Sequence, residues 1–175
     1  PCPPAKRTGK SVAIIGAGPA GLSAAWYLNK QGVSVEVFDA NPMAGGLLRY
    51  GIPNFKLQKE VIDRRIKLME EEGIIFHFGV RVDLKQDAFS MEDVEKTIGK
   101  HDAYIIATGT PIARDLNIPG REFKGVYLAL ELLSQQNRIL DGEKPDAASL
   151  VNAKGKRVLV IGGGDTGSDC IGTAH

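Results

Sequence analysis

Short apolar runs alternate with amphipathic segments along the chain, and this alternation predicts an α/β protein. Four runs predict β-strands: residues 12–15, 33–38, 74–78 and 103–107. Four segments place apolar side chains at helical spacing and predict helices: residues 22–28, 57–72, 91–98 and 125–140. Strands that alternate with helices are typical of a doubly wound parallel sheet. We expect the strand order third-second-first-fourth, with helices on both faces.

The first predicted strand leads into a glycine-rich turn with the spacing G-x-G-x-x-G, at residues 16–21 (the first turn). Its three glycines permit a tight turn, a close approach of phosphates to the backbone, and close packing of the next helix on the sheet. Asp39 ends the second strand, where a carboxylate accepts hydrogen bonds from ribose hydroxyls. The stretch predicts a dinucleotide site; the alternative is an ordinary βαβ turn with a surface aspartate.

The same pattern returns later, with a predicted strand at residues 157–161 and a glycine-rich turn at residues 162–167 (the second turn). A helix starts after it. Two such patterns predict two dinucleotides brought together, an arrangement that passes a hydride between a flavin and a nicotinamide. Between them, residues 41–53 contain paired glycines and prolines, which argues against a helix or an inner strand. We expect this stretch to be a loop facing a bulky ligand; the alternative is a flexible surface loop.

Composition narrows the classes of partner. Hydrophobic residues at 43%, charged residues at 25% and a net charge of +1 give no electrostatic reason to expect nucleic acid or an anionic membrane. The apolar runs are also too short to span a membrane. Cys2 and Cys170 have neither C-x-x-C nor metal-ligand spacing, so we expect reduced thiols, a cytoplasmic location and no metal site. The proline-rich residues 1–10 predict an extended linker arm.

Four motifs together resemble the small (beta) subunit of glutamate synthase, over essentially the whole chain. They are residues 16–21, residues 45–53, residues 107–109 with 118–120, and residues 162–170. The second and fourth motifs are the most specific. Flavoproteins of the adrenodoxin-reductase group share the glycines but match these two motifs less well.

The resemblance implies a Rossmann-like FAD-binding domain over residues 11–150 and the start of a NAD(P)H-binding domain over residues 151–175. It implies an oxidoreductase that takes hydride from NADPH onto FAD. In that family, electrons continue through iron–sulfur clusters to the large subunit, which makes glutamate. The cluster cysteines of the family precede the region matched here, so we expect a fragment of a longer flavoprotein. The alternatives are a non-catalytic nucleotide-binding module, an inert fragment, or an adrenodoxin-reductase-like ferredoxin reductase.

The resemblance also implies which residues contact the cofactors, and it implies no catalytic side chain. The FAD pyrophosphate would be held by Gly16, Gly18, Pro19, Ala20 and Gly21. The rest of FAD would contact Asp39, Gly46, Leu47, Arg49, Val82, Ala107, Thr108 and Gly109. The NADPH pyrophosphate would be held by Gly162, Gly164, Asp165 and Thr166. We further expect that residues 1–175 alone self-associate and bind no NADPH, because a lone strand at residues 158–161 leaves an apolar edge uncovered.

Overall fold

A computed structural model of the chain describes residues 1–83, 90–110, 112–146 and 150–175. Four strands form one parallel sheet: β1 (Ser11–Ile15), β2 (Ser34–Asp39), β3 (Ile75–Phe78) and β4 (Ala103–Ile106). The order β3-β2-β1-β4 confirms the predicted topology. In register, Val12 pairs with Val35 on one side and Ala103 on the other. The carboxyl ends of β1, β2 and β4 therefore meet at one edge of the sheet.

Within the described residues, six helices lie between and after the strands: α1 (Pro19–Lys30), α2 (Leu47–Tyr50), α3 (Lys59–Glu71), α4 (Met91–Ile98), α5 (Ala129–Leu140) and α6 (Asp165–Ala174). The predicted apolar stripe of α3 is confirmed, since Ile62, Ile66 and Met69 are all buried. None of the helices in the described ranges has the length and apolar character needed to cross a membrane.

The central strand β1 is covered on both faces, as the sequence predicts. Ile14 faces α1, because a Cβ built on Gly21 of that helix would lie 3.3 Å from the Ile14 side chain. The neighbouring Ile15 points to the opposite face. There it packs in one cluster with Val94 and Ile98 of α4. This two-sided burial explains why residues 12–15 are apolar without alternation.

The prediction that residues 41–53 contain no helix is wrong, because Leu47–Tyr50 forms the short helix α2. The N–H groups of Gly51 and Ile52 both donate to the carbonyl of Leu47, at 2.9 Å each. The Lys59 ammonium donates to the carbonyl of Leu48, at 3.2 Å. These bonds satisfy the ends of a helix too short to be detected from periodicity.

The predicted strand at residues 157–161 is also wrong: these residues join no β-ladder in the part of the chain that the structure describes. Val158, Leu159 and Ile161 are exposed, with Leu159 84% accessible. A strand exists only when a neighbour receives its backbone hydrogen bonds, and apolar side chains cannot replace that neighbour. The helix predicted from residue 125 likewise begins later, at Ala129.

The chain divides into two compact units. One unit contains Pro1–Gly46 and Glu60–Gly109, and the other contains Leu47–Lys59 and Thr110–His175. This division differs from the domain boundary predicted at residue 150. That boundary separates the predicted FAD-binding domain from the predicted NAD(P)H-binding domain, and it stays a prediction. Residues 1–10 have no helix or strand, yet they are not a free arm. Arg7 donates to the side chain of Asn29 at 2.6 Å and to the carbonyl of Val33 at 2.9 Å.

Candidate functional site

The first turn is held between the carboxyl ends of β2 and β4. The N–H of Gly16 donates to the carbonyl of Phe38 at 2.7 Å, and the N–H of Ala107 donates to the carbonyl of Ile15 at 2.7 Å. Gly16 has φ +112°, and a Cβ at this position would overlap the carbonyl oxygen of Ala107. Both facts require glycine, so the first glycine of the motif is explained by backbone packing alone.

Helix α1 begins at the surface, directly after this turn. Gly18 is the extended N-cap residue, Pro19 is the first helical residue, and Leu22 donates to the Gly18 carbonyl at 2.9 Å. Pro19 and Ala20 are exposed. The first N–H groups of a helix have no partner within it, and the helix dipole favours negative charge there. The end of α1 therefore provides donors for a phosphate group.

Asp39 is buried, and its carboxylate binds the first turn itself. One oxygen accepts the N–H of Ala17 at 2.7 Å, and the other accepts the N–H of Asn41 at 2.8 Å and its side-chain amide at 3.0 Å. A carboxylate accepts about four hydrogen bonds, so the oxygen facing Ala17 keeps acceptor capacity. Asp39 thus orients the turn, and its predicted contact with a ribose stays a prediction.

The paired glycines after β2 lie against the first turn. Gly45 donates to the carbonyl of Ala17 at 2.8 Å. Gly46 has φ +52°, and a Cβ there would lie 2.9 Å from the Cα of Gly18. Two glycine backbones in contact leave a surface without side chains beside the N-terminus of α1. Such a surface fits a flat or bulky group that approaches the backbone closely.

The remaining predicted residues of this unit follow the ends of β3 and β4. Val82 packs on the cluster that contains Ile15 and Phe38, and Val80 just before it donates to the carbonyl of Asp39 at 3.0 Å. The predicted contacts after β4 are Ala107, Thr108 and Gly109, of which the last two are exposed. The fold thus brings Gly16, Gly18, Gly21, Asp39, Gly46 and Ala107 to one edge of the sheet.

In the other unit, the predicted flavin contacts Leu47 and Arg49 differ in exposure. Leu47 is exposed, whereas Arg49 is only 1% accessible. The guanidinium of Arg49 lies 3.5 Å from the carboxylate of Asp141, near the end of α5. Arg138 of the same helix lies over the ring of Tyr50. This arrangement fastens α2 to α5, and the predicted contact of Arg49 with a flavin remains untested.

The second turn has the local geometry of the first. Gly162 has φ +121°, Gly164 is the extended N-cap of α6, and Ser168 donates to the Gly164 carbonyl at 3.1 Å. A Cβ on Gly167 would lie 2.5 Å from the carbonyl oxygen of Gly162. All four predicted contacts are exposed: Gly162, Gly164, Asp165 and Thr166. The N–H groups at the start of α6 are therefore accessible to an anion.

The two cysteines do not form a redox pair. Cys2 is exposed and Cys170 is buried, and both are free thiols. Burial, and then the charge of Asp169, raises the pKa of the Cys170 thiol above its ordinary value. A thiol in that environment is a poor nucleophile near neutral pH, because only the thiolate reacts.

Both glycine turns lie within a single match to a known protein family. Residues 10–175 match the family described as pyridine nucleotide-disulphide oxidoreductase. The chain belongs to this family. The match extends from β1 to the last residue, so α6 and the second turn are included in it.

Relatives within this oxidoreductase family confirm the resemblance to the glutamate synthase small subunit. A glutamate synthase [NADPH] small chain of Mycobacterium tuberculosis is 47% identical over 178 residues, covering 100% of this chain and 35% of the relative. A glutamate synthase [NADH] of Schizosaccharomyces pombe is 49% identical over 175 residues, covering 99% of this chain and 8% of the relative. The chain thus spans about a third of the small chains that it matches.

A solved structure supports the same fold. Mycobacterium tuberculosis FprA in complex with NADPH superposes with a TM-score of 0.59 and 28% sequence identity. The alignment covers 73% of this chain and 29% of FprA. The α/β sheet with flanking helices is therefore a fold that this chain shares with FprA.

Several residues that shape the site were missed by sequence reasoning. Asn41 supports Asp39, and the spacing of the two polar residues just after a strand is a signal for such a turn. Lys59 is buried although it belongs to a highly charged segment that suggests a solvated face. Asp169 and Lys56 form an ion pair across a long sequence separation. Nothing in the local sequence indicates these last contacts.

Proposed function

We propose that this chain is the nucleotide-binding part of an oxidoreductase that passes hydride from NADPH to FAD. The observation that carries the proposal is that two exposed helix N-termini follow glycine turns of the same backbone conformation. Each turn has the donors and the free space that a dinucleotide pyrophosphate needs. One turn alone would support only nucleotide binding. Two turns in a member of this family support transfer between two nucleotides.

FAD fits the unit that contains β1. Its pyrophosphate would accept hydrogen bonds from the start of α1, at Gly18, Ala20 and Gly21. Its adenosine ribose would use the remaining acceptor capacity of Asp39, whose orientation is already set by the turn. Asp39 has a shorter side chain than the glutamate that the resembled family more often has at this position. The contact of the Gly46 and Gly18 backbones leaves room for the cofactor beside the turn.

The nicotinamide dinucleotide fits the second turn. Its pyrophosphate would lie at the start of α6, against the backbone of Gly164, Asp165 and Thr166. The names of the relatives include both NADPH and NADH enzymes. We favour NADPH because the relatives that are separate small chains, the subunit that this chain resembles, carry that name.

When bound, FAD accepts a hydride and can release its electrons one at a time. The chain contributes binding and orientation through the N-termini of α1 and α6 and through Asp39. Helix N-termini stabilise the negative phosphates, and Asp39 keeps the first turn in its binding conformation. Electrons would then pass through iron–sulfur clusters to a partner that resembles the large subunit of glutamate synthase, in a soluble cytoplasmic complex.

The proposal is tested on the purified parent oxidoreductase, of which this chain is the proposed part, by its flavin absorbance and by NADPH-dependent bleaching of that absorbance. Two matched variants separate the turns: Gly18→Asp introduces a negative charge at the first turn, and Gly164→Asp does the same at the second. We expect Gly18→Asp to lose FAD. We expect Gly164→Asp to keep FAD but to lose reduction by NADPH.

Three outcomes would overturn the proposal in different ways. Bound flavin that neither NADPH nor NADH reduces would indicate a nucleotide-binding module without turnover. Absence of flavin and of nucleotide binding would indicate an inert domain. Efficient reduction of a ferredoxin, with no transfer to a glutamate synthase large subunit, would favour a ferredoxin reductase of the adrenodoxin-reductase kind.

Residues 1–175 alone are proposed to self-associate. The support is the exposure of Val158, Leu159 and Ile161 next to the second turn, which leaves apolar side chains and unpaired backbone in contact with water. Light scattering and NADPH calorimetry on this polypeptide test the proposal. A monomer that binds NADPH tightly would contradict it.

A further inference from the structure

Helix α6, which follows the second turn, is held from the side by a distant ion pair. The ammonium of Lys56 contacts the Oδ1 atom of Asp169. Asp169 is 11% accessible and Lys56 is 38% accessible at their side chains. An ion pair between two exposed side chains contributes little, but a carboxylate as buried as Asp169 needs a partner. The pair therefore constrains the side of α6 that carries Asp169.

Asp169 lies one helical turn after Asp165, the first residue of α6. Residues four positions apart share one face of a helix, so both carboxylates face the same direction. The contact with Asp169, and more weakly the charges of Asp169 and Asp165, raise the pKa of Lys56 above its ordinary value, against partial desolvation. The ammonium thus stays charged at neutral pH and lies near the N-terminal part of α6.

A second contact places the same segment on the same helix. A Cβ built on Gly172 would lie 2.7 Å from the ring of Phe55, so the aromatic ring rests directly on the α6 backbone. Phe55 and Lys56 are neighbours in sequence and contact α6 at Gly172 and Asp169, which are three residues apart. Two contacts on one helix face fix its rotation as well as its position.

The segment that carries Lys56 is itself anchored. The buried ammonium of Lys59 donates to the carbonyls of Leu48 at 3.2 Å, Ile52 at 2.5 Å and Leu57 at 3.3 Å. The side-chain amide of Asn137 on α5 also donates to the Ile52 carbonyl, at 3.1 Å. Lys56 therefore projects from a loop whose backbone is tied down on both sides of it. Because the loop is anchored, the ion pair between Lys56 and Asp169 can fix the position of α6.

We propose that Lys56, through Asp169, is a positioning residue that orients the α6 N-terminus toward the pyrophosphate of NADPH. The proposal rests on the proposed function, because it concerns the second turn as a nicotinamide-dinucleotide site. Lys56 does not contact the nucleotide in this proposal; it sets the direction of the N–H groups that do. Misplaced donors weaken binding because hydrogen bonds to phosphate depend on their alignment.

The test compares Lys56→Met, Asp169→Asn and the charge-swapped double variant Lys56→Asp/Asp169→Lys with the unaltered protein, each prepared as the purified parent oxidoreductase. The control is Lys96→Met, which removes an exposed ion pair of similar type with Glu92 on α4. Each protein is assayed for flavin content, for the KM and kcat of NADPH oxidation, and for hydrogen exchange of residues 162–174 without nucleotide.

Each single variant is expected to keep its flavin and its kcat, to raise the KM for NADPH about tenfold, and to speed exchange at the start of α6. The double variant should restore a good part of both properties, whereas Lys96→Met should change neither. Unchanged KM in both single variants would overturn the proposal, even with faster exchange, because α6 would then be held without consequence for NADPH.

The exchange measurement separates this proposal from the proposed function. If NADPH neither binds nor reduces the unaltered protein, the proposed function fails, and the positioning role for NADPH fails with it. If NADPH reduces the unaltered protein but the single variants match it in KM and in exchange, only the positioning role fails. A loss of flavin in Lys56→Met and Asp169→Asn would likewise overturn the role, because the pair would then support the whole fold.

Discussion

The two glycine turns have nearly the same backbone but different surroundings. Gly16 and Gly162 have φ +112° and +121°, and the N-cap residues Gly18 and Gly164 have φ −77° and −82°. The hydrogen bond that closes the first helical turn measures 2.9 Å in α1 and 3.1 Å in α6. Local sequence therefore determines the turn conformation, because it forms with or without a sheet around it.

What differs is the set of neighbours. A Cβ on Gly16 would overlap the carbonyl of Ala107, whereas a Cβ on Gly162 would meet nothing within 4 Å among the described residues. Asp39 accepts a hydrogen bond from the first turn, at Ala17. The first turn is thus enclosed by β2, β4 and the Gly45–Gly46 contact, while the second is exposed. A turn motif indicates where phosphate donors lie, and its neighbours decide whether they are held rigidly.

Hydrogen exchange should show the largest difference between the two regions. In the 175-residue chain, we expect amides of residues 12–15 to exchange at least about a thousandfold more slowly than those of residues 158–161. The reason is that β1 has a ladder on each side, whereas residues 158–161 have none in the described parts of the chain. Equal protection in both segments would contradict this expected difference. Protection of residues 158–161 that appears only in a longer polypeptide would show that the added residues supply the missing strand partner.

Replacing the first glycine of each turn with alanine should destabilise the folded protein by unequal amounts. Gly16→Ala is expected to lower the free energy of unfolding by about 2–6 kcal/mol, from backbone strain plus a clash with Ala107. Gly162→Ala should cost only the strain, about 1–3 kcal/mol. Urea denaturation of both variants gives the comparison. Equal losses would mean that the surroundings of Gly16 contribute nothing.

Removing a carboxylate near each turn is expected to have a smaller effect. Asp39→Asn replaces an oxygen that accepts hydrogen bonds from backbone N–H groups, so ligand-free stability should fall by about 1–3 kcal/mol. Asp165→Asn, on the exposed start of α6, should change stability by less than about 0.5 kcal/mol. Denaturation in the absence of FAD measures both. An unchanged Asp39→Asn protein would leave ribose binding as the only role for Asp39.

Acid should slightly weaken the sheet at the amino end of β1, which is the end opposite the first turn. The hydrogen bond from the Ser11 N–H, and then Lys10, lower the pKa of Asp102 below its ordinary 3.8. A lowered folded-state pKa gives stability above the unfolded value that is lost as pH falls through the folded value. The urea concentration at the midpoint of unfolding should therefore decrease as the pH falls below about 4. The decrease should be smaller in Asp102→Asn.

The control for this acid effect is Asp115→Asn in the other unit. The hydrogen bond from Arg121 lowers the pKa of Asp115 in the same direction. Its replacement should leave hydrogen exchange of β1 at low pH unchanged, whereas Asp102→Asn should alter it. The same response of β1 in both variants would show that the acid effect does not arise at the start of this strand.

Much of the fold around the first turn was predictable from the sequence. The four strands, their order and the apolar stripe of α3 follow from short-range patterns of burial, and α4 was predicted at its observed bounds, Met91–Ile98. Helix α2 was not predictable, because its four residues give no periodicity and its ends are satisfied by Lys59 and Gly51. Residues 157–161 have the composition of a strand, but composition does not supply a partner.

By itself, the sequence determined the two glycine turns, the helices that follow them and the topology of the sheet. These features depend on φ values, on apolar periodicity and on the right-handed crossover, all of which operate over short stretches of chain. Only the tertiary structure decided that Asp39 binds the turn, that Arg49 is buried beside Asp141, and that Lys56 holds α6. Each of these is a polar contact between distant segments, and its formation depends on burial that no local pattern records.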